Sequence, residues 1–136
     1  MFFNFKVLPF IQAIKLPFLL STNVKLFNTS GKIVINCPIQ TFLFKIGFNN
    51  VVIFDKDKSK LFFSNQGKIV FNGKLNIGHG SKINVNKSGI LEFGNNFGIS
   101  AESAIICNKN IIFGDYNLIS WGCPIIDTDF HKIYDA

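Results

Sequence analysis

Arginine is absent from this chain, and alanine occurs only four times in 136 residues. Without Arg the protein lacks the side chain that forks across phosphate groups and guanine edges. Its 14 lysines are scattered, and the densest group, Lys56, Lys58 and Lys60, is interrupted by Asp55 and Asp57. A net charge of +6 spread this way does not read as a nucleic-acid surface, and no nucleic-acid partner is expected. Cys37, Cys107 and Cys123 are odd in number and form no C-x-x-C pair. His79 and His131 are the only histidines, so a four-ligand zinc site would need distant recruits and no metal is expected. Reduced thiols fit a cytoplasmic protein.

Long hydrophobic runs are missing as well. The apolar N-terminus is interrupted by Pro9, Gln12, Lys15 and Pro17. Each uninterrupted run is far shorter than the roughly 20 residues of a transmembrane helix. Lys6 is a weak basic start and Ser21-Thr22-Asn23 a poor cleavage site, so no signal peptide is expected. Residues 1–29 read as a docking segment holding one short helix between Pro9 and Pro17. Phe10 and Ile14, four apart, would share the face that covers the next element. The aromatic content of this segment is compatible with a peripheral contact at the inner face of a membrane.

What is abundant is Ile (20), Phe (17), Asn (16) and Lys (14), about half of the chain. A hydrophobic share of 48% against 16% charged residues excludes disorder and demands a packed core. After Ser30 the apolar residues fall in short β-branched and aromatic runs: Thr41–Ile46, Val51–Phe54, Lys68–Phe71, Lys82–Val85, Ala104–Cys107 and others like them. Gly or Asn punctuates nearly every gap, which suggests a sandwich, a barrel or a solenoid.

An internal repeat decides among these. Residues 93–106 (FGNNFGISAESAII) and 113–126 (FGDYNLISWGCPII) share Phe-Gly, Ile-Ser and Ile-Ile at matching positions. Anchors recur every six residues within each: Phe93, Ile99, Ile105, then Phe113, Ile119, Ile125; Ile77 and Ile83 form an earlier pair. The offset of 20 between the two stretches reads as three hexads plus two residues inserted near Lys109. One inward anchor per short strand, followed by a turn, closes a three-faced coil, and coils stack through parallel backbone hydrogen bonds. The fold expected is an all-β parallel β-helix over residues 30–136.

Ile77-Gly-His-Gly-Ser, Phe93-Gly-Asn-Asn and Phe113-Gly-Asp-Tyr-Asn-Leu-Ile-Ser-Trp together resemble the hexapeptide-repeat acyltransferases. The run from Leu118 to Ile133, with Asp127-Thr-Asp-Phe-His131, is similar to their sugar O-acetyltransferase branch, which serves capsule and surface-polysaccharide synthesis. The resemblance implies left-handed coiling, a homotrimer, acetyl-CoA as acyl donor and a saccharide acceptor. It also implies missing C-terminal coils, since family members continue after the histidine and this chain ends at Ala136.

The same resemblance places His131 in the catalytic position, as the base that takes the proton of the attacking hydroxyl. Asp127 and Asp129 have two candidate roles, orienting the His131 ring or holding acceptor hydroxyls; Asp129 is assigned to the first and Asp127 to the second. Trp121 walls the substrate cleft or packs on a neighbouring subunit. Cys123, at the small position of its hexad, reads as core filler. His79 lies in a Gly-His-Gly turn and is expected to be exposed. No lysine is singled out for CoA. The alternative function is a truncated, non-catalytic solenoid with only a structural or association role.

Overall fold

The structure, a computed structural model, describes residues 2–49, 51–53 and 59–129. Two short helices, α1 (Phe2–Val7) and α2 (Phe10–Ala13), precede fourteen strands among the described residues. Strands β1 (Phe18–Leu20), β2 (Val24–Asn28) and β3 (Lys32–Ile35) form the first coil. The second is β4 (Phe44–Phe48), β5 (Leu61–Asn65) and β6 (Lys68–Phe71). The third is β7 (Leu75–Gly78), β8 (Lys82–Val85) and β9 (Ile90–Phe93). The fourth is β10 (Phe97–Ile99), β11 (Ala104–Cys107) and β12 (Asn110–Ile112), and β13 (Leu118–Ile119) and β14 (Pro124–Ile126) open a fifth.

Every third strand pairs in parallel, giving three sheets: β1-β4-β7-β10-β13, β2-β5-β8-β11-β14 and β3-β6-β9-β12. This is a parallel β-helix. Its register reproduces the sequence repeat, with Ile99 opposite Ile77 and Ile119, and Ile105 opposite Ile83 and Ile125. Ile99 and Ile105 are buried, while Ile119 and Ile125 pack half-buried against the core from the last described coil. From the anchor Ile105 to the anchor Phe113, which stacks on Phe93, the chain advances eight positions around the corner at Asn108 and Lys109, and from Phe113 to Ile119 it advances six.

The phenylalanines form a column along the helix axis. Phe71 touches Phe18, Phe44 and Phe93, with ring centroids 4.7–5.6 Å apart, and Phe93 stacks on Phe113 at 5.7 Å with rings 7° from parallel. Contacts of this kind add about 0.5–1.5 kcal/mol each beyond the area they bury. The coil is narrow, so a flat ring fills its cross-section where two aliphatic side chains would otherwise be needed.

The N-terminal segment differs from the sequence expectation in three ways. Strands β1 and β2 belong to the solenoid, which begins at Phe18 rather than residue 30. Helix α1 adds to the one expected after Pro9. Phe10 and Ile14 face solvent, 71% and 52% exposed, while Phe3, Leu8 and Ala13 are the residues that reach the core. The reason lies in the edge of the first coil. Asn4, fully buried, donates from Nδ2 to the Phe18 carbonyl at 3.0 Å and accepts at Oδ1 from the Phe18 N–H at 2.9 Å. An amide thereby replaces the missing strand beside β1 and closes an edge that would otherwise invite pairing. The α1 face beside Asn4 must then turn inward. Thr41–Leu43 precede β4 instead of joining it, and residues 51–53 form no strand.

Candidate functional site

Of the run that carries the strongest chemistry of the sequence reading, residues 127–131, Asp127, Thr128 and Asp129 follow β14 and are described, and residue 130 is not. His131 lies outside the described residues. Asp127 is half-buried and its carboxylate collects three backbone donors from the coil below. Asn108 N–H reaches Oδ1 at 2.6 Å, and Lys109 and Asn110 N–H both reach Oδ2 at 2.7 Å. Burial alone would raise its pKa. The three donors from Asn108, Lys109 and Asn110 outweigh burial and hold the carboxyl below its ordinary value. The oxygens that the sequence reading assigns to acceptor hydroxyls are thus engaged in tying the corner of the fifth coil to that of the fourth.

A consequence can be measured. Asp127→Asn leaves at least one of the three backbone donors, that of Asn108 if the amide oxygen turns to Lys109 and Asn110, facing an NH2 group, and should cost about 1–2 kcal/mol at neutral pH. Because the folded pKa is depressed, the native advantage is complete above the unfolded value of about 3.9. It is lost as pH falls through the folded value. Urea denaturation of both proteins should show their gap closing in acid; a gap unchanged down to about pH 2 would refute this account.

Asp129 is exposed and lines an open depression of about 540 Å³ with Lys109, Ile126, Asp127 and Thr128. Trp121 is half-exposed, at the preceding corner between the first and second sheets. It does not line this depression. The structure therefore brings Asp127 and Asp129 together and leaves Trp121 apart. Trp121 and Cys123 flank Gly122, and the Cys123 N–H donates to Ser103 Oγ at 3.2 Å, in keeping with a small residue stacked on a small residue.

Two of the thiols, Cys37 and Cys107, are poor nucleophiles by environment. Burial, and then the neighbouring Asp127 charge, push Cys107 above the ordinary thiol value, and burial raises Cys37 likewise. All three cysteines are free. Among the described residues no group of three or more His, Cys, Asp or Glu could hold a metal ion. Among the same residues no helix is long and apolar enough to cross a membrane.

His79 is a correction. It is 2% exposed, not a surface turn residue. A Gly-His-Gly turn on an isolated loop would face water, but here each corner is stacked against the corners of adjacent coils. A Cβ on Gly78 would come within 2.6 Å of the Ala101 backbone N, so the coils meet too closely for the turn to open. Both ring nitrogens of His79 lack a hydrogen-bond partner, and Nδ1 lies 4.0 Å from Glu102 Oε1, itself buried and unpartnered. Glu102 has φ +56°, in a corner where Gly80 and Gly122 also have positive φ, at +68° and +65°. It is the residue of that column with a side-chain penalty for the left-handed conformation.

A second concavity was not anticipated. A groove of about 410 Å³ runs along the outer face of the first sheet, lined by Lys74, Asn76, Asn96, Tyr116, Asn117 and neighbours. Outward Asn76, Gly98 and Leu118 stand in register on β7, β10 and β13. A Cβ on Gly98 would come within 3.1 Å of Leu118 Cδ1, so the Leu118 side chain lies over the glycine. That signal becomes legible only after the coils are aligned. Comparison with family models, with curated proteins and with solved structures finds no match to this chain.

Proposed function

We propose that this β-helix is an acyltransferase that moves acetyl from acetyl-CoA to a saccharide hydroxyl. One observation carries the reading: the Asp-Thr-Asp run that precedes His131 emerges at the open corner of the last described coil, in a depression lined by Asp127, Thr128 and Asp129. The reading rests on that placement together with the resemblance of residues 118–133 to sugar O-acetyltransferases.

The chemistry assigned is direct transfer. The acceptor oxygen attacks the thioester carbonyl, a C–O bond forms and the C–S bond breaks. His131 removes the hydroxyl proton and returns it to the departing thiolate. Asp129 orients the ring and stabilises the imidazolium. Asp127 acts by position, fixing the corner that Thr128 and Asp129 follow. The corner offers one ammonium, Lys109, beside two carboxylates. That set suits a neutral polyol and the thioester end of the donor, not the CoA phosphates, so the described residues of this corner give the nucleotide end no binding role. Trimer formation and left-handed coiling belong to this proposal.

The test is acetyl-CoA turnover with oligosaccharide acceptors, by the 136-residue chain and by a form extended with further coils. Acceptor-dependent release of free CoA is the expected result. Release no faster than buffer hydrolysis in both forms would overturn it and favour a purely associative solenoid. The exposed apolar residues of the last described strands, Leu118 and Ile126, are the observation behind that second reading.

A further inference from the structure

The N-terminal cap has an outer face that the solenoid does not use. Helices α1 and α2 turn Phe3, Leu8 and Ala13 inward, and what remains outside is Phe2, Phe5, Phe10, Ile11 and Ile14. Their exposures are 78%, 48%, 71%, 74% and 52%. Single exposed apolar residues are ordinary, but five large ones within thirteen positions form a patch of the kind that marks an interaction surface. The Phe5 and Phe10 ring centroids are 6.2 Å apart, so the outer faces of the two helices are continuous.

The charge around this patch is one-sided. Residues 1–54 contain Lys6, Lys15, Lys25, Lys32 and Lys45 and no Asp or Glu. All five lysines are exposed. The other nine lysines share residues 55–136 with all eight carboxylates. Nearly the whole net charge of +6 therefore sits at the capped end of the solenoid. Lys6 and Lys15 lie within and directly after the apolar patch.

We propose that this cap docks on an anionic lipid bilayer, with the Phe and Ile side chains entering the headgroup–acyl boundary and the lysines meeting acidic headgroups. Apolar side chains carried on short helices gain free energy by entering that boundary by roughly 5–10 Å, and nearby lysines add electrostatic attraction. Helices of six and four residues lie on a membrane and do not cross it. A second copy of this chain fits less well, because two caps face to face would oppose ten lysines with no carboxylate among residues 1–54 of either copy. The exposed residues carry no core packing, so the proposal concerns a surface that can be altered without unfolding the coil. It does not depend on the acyl-transfer reading.

The experiment is co-sedimentation of the full chain with phosphatidylcholine vesicles, with or without about 30 mol% phosphatidylserine. Binding to the anionic vesicles should exceed binding to the neutral ones by about tenfold or more, and fall by a similar factor at about 0.5 M NaCl. Phe10→Ser/Ile11→Ser should weaken it at least about tenfold while leaving the thermal transition in place. Phe2→Ser/Ile14→Ser provides an independent pair if the first fails to fold. Absence of binding to both vesicle types, or binding that either folded double variant leaves intact, overturns the proposal. So does light scattering that shows a dimer abolished by Phe10→Ser/Ile11→Ser, which would give the patch to a second copy.

Discussion

Replacing His131 by Ala is expected to lower acetyl-transfer turnover by roughly 10²–10⁴, the usual worth of a positioned general base. The loss should fall on kcat and leave KM nearly unchanged, because the imidazole acts on a proton that moves only as the transition state is reached. Asp129→Asn should cost less, since an amide can still orient the ring although it stabilises imidazolium poorly. His79→Ala is the informative contrast. His79 is buried in a corner of the third coil, so its loss should change the melting temperature and leave turnover per folded molecule close to wild type. Initial rates in a form extended with further coils, at a temperature below every variant's transition, make the comparison. Equal rates for wild type and His131→Ala would end the proposed mechanism, and loss confined to His79→Ala would move the site to the third coil.

Phe71→Ala should be the most costly single truncation in the core, at about 3–5 kcal/mol. Phe71 is 1% exposed and contacts rings of three different coils, Phe18 in the first, Phe44 in its own and Phe93 in the third. A solenoid is stabilised by contacts between neighbouring coils, so a hole at the axis weakens two interfaces at once. The neighbours cannot collapse into it, because the backbone ladders on all three sides fix the coil width. Against a typical total of about 5–15 kcal/mol the loss is large. Urea unfolding should show a lower midpoint with an unchanged slope. A shift of less than about 1 kcal/mol would mean that the phenylalanine column is not what holds the coils together.

How much of this was legible beforehand depends on the residue. The register of Ile99 with Ile119 and Ile105 with Ile125 was readable because one anchor per strand must face inward, and a stacked coil puts equivalent anchors in contact. A hexad pattern marks one anchor per strand and passes over Ile111, which stands opposite Leu91 and packs against the core beside Phe113. Asp127 reads in the sequence as a holder of acceptor hydroxyls, yet in the fold its carboxylate accepts from the N–H groups of residues 108–110, partners that no local pattern reveals. His79 was misread for the same reason: turn chemistry describes two flanking residues, whereas burial depends on the coil stacked against them.

The amino-acid sequence by itself determined the β-helix, through the six-residue spacing of Ile and Phe and the Gly and Asn between them, because side-chain alternation and turn chemistry are local properties of a strand. It also determined the charge asymmetry that leaves residues 1–54 without a carboxylate. Tertiary structure alone decided that the solenoid starts at Phe18, that Asn4 closes its first edge, that His79 is buried beside Glu102, and that the outer face of α1 and α2 remains apolar and exposed. Each of these joins residues of different coils or elements, most of them 14 or more positions apart. Their contact is fixed by how many residues each coil takes to close, a quantity that varies along this chain and is set by the packing of the core.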